Sequence, residues 1–207
     1  MKPRMKAKII VAMTLLGLLG FSGTATADDS GFYLYGAAGT SIAKMDQGAI
    51  DSGYANTNGI ASVSSSVSDG PSAYLLQFGY QFNTKSAMEI GYGGFGDLKY
   101  TLNAPTLVHE SEKLKVFDVV YAATLPLSNG FALTSRAGLA DVQSSGNGAI
   151  RDFGGHAIRI TGGLGVKYNF NENFSVRADW NIYNAPPAAK IDGSAAEMFT
   201  LGVGYKF

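Results

Sequence analysis

Long stretches of this chain alternate, residue by residue, between apolar side chains and small or polar ones. The last twelve residues, Ala196 to Phe207, set the pattern. Phe199, Leu201, Val203, Tyr205 and Phe207 fall on one parity, and Thr200, Gly202, Gly204 and Lys206 fall on the other. A strand places two such sets on opposite faces. Seven further segments behave alike, over residues 31–43, 72–82, 85–96, 112–125, 131–142, 156–170 and 174–184. In 72–82, Tyr74, Leu76, Phe78, Tyr80 and Phe82 oppose Ala73, Leu75, Gln77, Gly79 and Gln81. In 174–184, Phe174, Val176, Ala178, Trp180 and Ile182 oppose Ser175, Arg177, Asp179 and Asn181. Each segment meets the roughly 9–11 residues that a tilted strand needs to cross a bilayer.

The charges decide which face is inside. Glu89, Asp118, Arg136, Arg159, Lys167, Arg177 and Asp179 all take the parity opposite the aromatic residues. Gly79, Gly91, Gly93, Gly138, Gly163, Gly165, Gly202 and Gly204 join them. A soluble barrel is apolar inside and polar outside. Here the polarity is inverted, because a charge on a lipid-facing position would cost roughly 2–4 kcal/mol near the midplane. Strands in hydrocarbon must also close on themselves, since an open edge leaves backbone groups unpaired. The pattern therefore predicts an all-β fold, an eight-stranded antiparallel up-and-down transmembrane β-barrel. Tyr80, Phe82, Phe131, Tyr168, Phe170, Phe174, Tyr205 and Phe207, at matching strand ends, predict an aromatic belt at the headgroups.

The connections alternate in length. Asn83-Thr84, Pro126 to Gly130 and Asn171 to Asn173 are short and rich in turn formers. Residues 44–71, 97–111, 143–155 and 185–195 form four longer loops, expected on the outer surface. An even strand count puts both barrel ends on the short-turn, periplasmic side. Ser62 to Ser68 reads SVSSSVS, and the first loop is assigned no structure of its own.

Targeting and composition narrow the function classes. Lys2, Arg4, Lys6 and Lys8 precede an apolar run from Ile9 to Phe21, and Thr24-Ala25-Thr26-Ala27 offers a small-residue cleavage site. Residues 1–27 thus read as a cleaved signal peptide and 28–207 as one barrel domain. Removal takes four basic residues with it and leaves 12 Lys and Arg against 16 Asp and Glu, a formal charge of −4. That balance excludes nucleic acid as a partner. The absence of cysteine removes disulfides and thiolate metal sites.

Catalysis and cofactors find little support. His109-Glu110-Ser111 looks suggestive, but adjacent residues of a strand point to opposite faces. His109 and His156 lie at loop ends and read as solvated side chains. Asp46, Asp51 and Asp69 match no calcium-loop spacing, and no phosphate-binding glycine motif is present. The expectation is no catalytic residue, no metal site and no cofactor. A lipid-modifying enzyme and a soluble carrier stand as rival readings.

The segments FYLYGAAGTS, MEIGYGGFG, LTSRAGLA, GGLGVKYNF, FSVRADW and the terminal LGVGYKF, in this order and spacing, resemble the transmembrane domain of the outer-membrane protein A family and small outer-membrane β-barrel proteins at large. The resemblance covers essentially all of 28–207. It implies a lumen salt bridge between a third-strand Glu and a seventh-strand Arg, positions held here by Glu89 and Arg177. The family's competing fourth-strand Lys is replaced by Ala122, which puts a family-style gating switch in doubt. An interior charge network is expected from Glu89, Asp118, Arg136, Lys167, Arg177 and Asp179. It would fill the lumen as a plug, or, in the sharper reading, gate a narrow pore. The resemblance further implies a barrel-assembly signal at Tyr205 and Phe207, read by the barrel-assembly machinery. The partners it implies are outer-membrane lipid and lipopolysaccharide, with host or phage surface ligands at the loops, for a monomer without catalysis. The family's peptidoglycan-binding domain is not expected in a chain ending at Phe207.

Overall fold

The computed structural model describes residues 30–43, 46–59, 63–68, 70–104, 108–147, 155–184 and 195–207. The expected signal peptide, residues 1–27, lies outside the described residues. The strands are β1 (Gly31–Ile42), β2 (Ser64–Ser68), β3 (Ser72–Asn83), β4 (Ser86–Phe95), β5 (Leu98–Ala104), β6 (Val108–Pro126), β7 (Phe131–Asn147), β8 (Gly155–Asn169), β9 (Phe174–Asn184) and β10 (Ala195–Lys206). One helix, α1 (Gln47–Asn58), follows β1.

Eight strands close the barrel. Each pairs antiparallel with the next in the order β1-β3-β4-β6-β7-β8-β9-β10, and β10 returns to β1. The expected partition holds along the wall. Phe78, Val119 and Ile160 are 48, 39 and 54 % exposed on the outside, while Glu89 is fully buried in the lumen. Ile182 keeps its outward parity but is covered, packed with Ala195 and Trp180.

Turn chemistry sets the periplasmic end. Asn129 and Gly130 both take positive φ (58° and 81°), and the Phe131 amide donates to the Ser128 carbonyl at 3.3 Å. This is the Asn-Gly arrangement whose twist matches a hairpin. The Asn83 carboxamide oxygen accepts from the Lys85 amide (2.8 Å), and that of Asn171 accepts from the Asn173 and Phe174 amides (2.9 and 2.7 Å). Outward rings gather there in three groups. Phe32 contacts Phe78 and Tyr80, Tyr80 contacts Phe82, Phe131 contacts Tyr168, Tyr168 contacts Phe170, and Tyr205 contacts Phe174 and Phe207. These are the paired, amphipathic rings expected at a headgroup boundary.

The opposite end departs from the sequence reading. Within 97–111, read as a loop, residues 98–104 instead form β5 and 108–111 the first part of β6, paired from Leu98↔Glu112 to Leu102↔Val108. Within the first long connection, read as structureless, α1 and β2 form, and β2 pairs with β5. The helix follows Asp46, whose carbonyl accepts from the Ile50 amide at 3.1 Å, and is followed by Gly59 at φ +65°. An Asp before a helix and a left-handed Gly after it are ordinary capping residues. Asp51 holds the cap together, accepting from the Tyr100 hydroxyl at 2.6 Å and the Ser65 hydroxyl at 2.7 Å. Burial, and then the bond to Asp51, push the Tyr100 phenol up to about 12. Ile50, Leu98, Tyr100 and Leu102 from this cap join Leu75, Phe95, Leu114, Val116, Val142 and Met198 in one buried apolar cluster.

Candidate functional site

Below that cluster the lumen is polar, and its register explains which groups can meet. β8 and β9 pair Lys167↔Arg177, Gly165↔Asp179, Gly163↔Asn181 and Thr161↔Tyr183, in inward rows that climb from the short-turn end. Across β7, Arg136 is opposite Gly163 and also opposite Ala122 of β6. Glu89 of β4 lies beside Gly79 and Val120. Large groups on some strands thus face small ones on their neighbours. A methyl on Gly165 would overlap the Asp179 carboxylate, and one on Gly91 would overlap that of Asp118. In an eight-stranded barrel, where side chains fill the interior, such space is a requirement.

Four of the charged residues close a ring of alternating sign. Arg177 Nη1 donates to Glu89 Oε1 at 2.8 Å, and its Nε donates to Asp179 Oδ2 at 2.8 Å. Arg136 Nη1 reaches Glu89 Oε2 at 3.3 Å, and its Nη2 lies 3.6 Å from Asp179 Oδ1. All four side chains are essentially buried. Buried charges are tolerated when paired and hydrogen-bonded, and neutral groups finish the task here. Tyr33 donates its hydroxyl to Glu89 (2.6 Å), Gln77 donates its amide to Glu89 (3.1 Å), and Tyr35 donates to Asp179 (3.1 Å). Gln77 and Asn181 accept from Arg177 and Arg136 respectively. The Arg177 guanidinium also stacks 4.1 Å from the centre of the Tyr35 ring.

Asp118 and Lys167 stand apart from this ring. Asp118 sits one row above Glu89, opposite Gly91, and accepts the Tyr183 hydroxyl at 2.9 Å. Lys167 sits opposite Arg177, one row above Asn169 and Ser175, and lines a cavity of about 800 Å³ that rises from the short turns to Glu89 and Arg177. Arg159 is half-buried on its strand. Ala122 leaves no cation at that fourth-strand position. Instead Arg136, from the strand directly across from it, binds Glu89 together with Arg177. The two cations share the carboxylate rather than competing for it. Tyr33, Tyr35, Gln77 and Asn181 were not among the expected network members, although each lies on the inward parity and was legible to that extent.

The histidines are placed elsewhere. His109 Nδ1 meets the Thr101 hydroxyl at 3.1 Å on an exposed face, while its neighbour Glu110 is buried. His156 Nδ1 lies 3.4 Å from Asp141 and is largely exposed. Neither arrangement is that of a nucleophile oriented by an imidazole and a buried acid. Among the described residues, no group of three or more His, Asp or Glu side chains converges as a metal site. Asp69 lies outside the described residues.

A closed eight-stranded barrel with an oily exterior, aromatic girdle and ionic lumen defines a small integral protein of the bacterial outer membrane. The outer membrane protein beta-barrel domain family matches residues 13–207, and the chain belongs to it. Solved structures agree in fold. Neisserial surface protein A is 16 % identical, with a TM-score of 0.58 over 86 % of this chain and 99 % of that one. Ail, the attachment invasion locus protein of Yersinia pestis, is 16 % identical, with a TM-score of 0.53 over 86 % and 99 %. Outer membrane protein AlkL, solved in lipid bilayers, is 10 % identical, with a TM-score of 0.53 over 90 % and 95 %. No curated protein matches the chain in sequence.

Proposed function

We propose that this protein is a sealed, non-catalytic barrel that contributes structure to the outer membrane and presents its cap, built on the first two long connections, together with the other two connections for surface contacts. The observation that carries this reading is the closed charge ring. Two guanidiniums bridge two carboxylates across the lumen, so no ion finds an unmatched charge to hop to at that level. The apolar cluster and the cap stand above it. Host or phage ligands at the cap, lipopolysaccharide around the wall and a monomeric state complete the proposal, as in the family the chain resembles. Residues 1–27 serve as the export signal, and Tyr205 and Phe207 serve barrel assembly. Mass spectrometry of outer-membrane preparations should find Asp28 as the mature N-terminus, and an uncut chain would overturn that part.

A gated pore is the second reading, favoured by the cavity of about 800 Å³ that brings water to the underside of the ring. Liposome swelling separates the two. Vesicles carrying the refolded protein should swell in small sugars and amino acids no faster than empty vesicles. Swelling that scales with protein content would favour the pore.

A further inference from the structure

The cavity beneath the ring carries a cation, Lys167, that the ring does not consume. Its wall carries Lys167, Arg177 and Lys206 against Glu89 and Glu172. Glu89 and Asp179 already answer the charge of Arg177. In a count of inward charges Asp118 would balance Lys167, but the two are separated along the barrel axis. Asp118 lies above Glu89 with Tyr183, and Lys167 lies at the other end, opposite Arg177 in the ring's lowest row. Among the described residues, no carboxylate approaches within 4.0 Å of the Lys167 ammonium. Its electrostatic neighbours are Arg177, Glu89 and Lys206, two of the three being cations. Lys206 lines the same cavity with its stem beside Gly31, where an added Cβ would lie 3.1 Å from Lys206 Cε. Ser175 and Asn169, paired across β8 and β9, bring neutral polar side chains to the same wall.

The geometry points to an anion-binding site in this vestibule. A cation set among like charges in a roomy polar cavity is completed by an oxyanion, whose charge-assisted hydrogen bonds are the strong kind. The ligand is a small molecule or headgroup carrying one phosphate or carboxylate. It contacts Lys167 first, with Lys206 and Ser175 alongside. The cavity lies in the range of small-ligand pockets. This goes beyond the sealed-barrel reading and does not depend on it, because the vestibule lies below the ring whether the ring is shut or open. Binding reports on the site, and swelling or conductance reports on the seal.

The test uses the refolded, isotopically labelled protein in a maltoside detergent, which carries no phosphate. Inorganic phosphate and dihexanoylphosphatidylglycerol are titrated separately while the amide signals of β8 and β9 are followed. Saturable shifts at Lys167, Asn169 and Ser175 are expected with at least one probe. Phosphate alone names a soluble anion, the lipid alone names a headgroup, and both together name an oxyanion site without preference. Lys167→Gln should weaken binding about tenfold or more, since it removes the central charge-assisted bond. Lys113→Gln, on the outer face, should change it by less than about twofold. If Lys167→Gln fails to migrate as a folded barrel on an unheated gel, Lys206→Gln replaces it, with a weakening of about threefold expected. No saturable shift with either probe, or unchanged affinity in the folded Lys167 variant, overturns the site.

Discussion

The lumen is closed twice, by different physics. The lower closure is the charge ring of Glu89, Arg136, Arg177 and Asp179, where every group is specified by a partner at hydrogen-bond distance or close to it. The upper closure is the apolar cluster in which Leu75, Leu114, Val116 and Met198 meet the cap residues Ile50, Leu98, Tyr100 and Leu102. An ion ring is fragile to the loss of a single member, because the remaining charges stay buried and unmatched. An apolar layer loses stability in proportion to the atoms removed and stays dry. One wall therefore carries a layer that can be switched by one charge and another that cannot.

The largest effect should come from Arg177→Ala. Stranding Glu89 and Asp179 should destabilise the barrel by about 3–5 kcal/mol, read from the fraction that keeps folded gel mobility across a urea series. It should also open a water path. Unchanged stability together with unchanged permeability would remove the ring from the account. Leu75→Ala, in the upper layer, should cost about 2–4 kcal/mol by the same assay yet leave permeability at the wild-type level. If it leaks as Arg177→Ala does, the two closures are not distinct in kind.

A third substitution tests how far the cap is independent. Asp51→Ala removes the acceptor shared by Tyr100 and Ser65 and should loosen the cap by about 1–3 kcal/mol. Faster protease cleavage between β1 and β3 should report it, with the urea midpoint of the barrel unchanged. A shift of that midpoint would show that cap and barrel melt as one unit. The smallest effect is set by pH. Tyr100 releases its proton near 10 when unfolded and at about 12 in the folded cap. Its contribution is therefore fully present below pH 10 and is lost as pH rises toward 12. Protease sensitivity of the cap should rise over that window in the wild-type protein. Tyr100→Phe should show no such rise.

The difference between the two closures also separates what could be read from the residues from what could not. Strand alternation is local and strict in period, so the wall, its polarity and the inward positions of Glu89, Arg136, Arg177 and Asp179 were readable. Their pairing was readable only in part. Whether Arg136 or another cation meets Glu89 depends on stagger around the barrel, which no single strand encodes. Seen from the sequence, Ala122 marked a missing cation. In the fold it marks the place opposite the strand that supplies one. The cap was missed for a different reason. Gln47 to Asn58 is rich in Gly, Ser and Asn, and Ile50 and Tyr54 anchor it to the apolar cluster. Such a segment folds because Leu98, Tyr100 and Leu102 give it a surface, and tertiary packing overrides weak propensity. Asp46 and Gly59 were the available signals, at either end of a helix whose composition argued against it.

The measurement closest to the central claim is the conductance of the refolded protein in a planar bilayer, wild type beside Arg177→Ala. The charge ring predicts a silent wild type and frequent openings in the variant. Steady, discrete current steps from the wild-type barrel would contradict it.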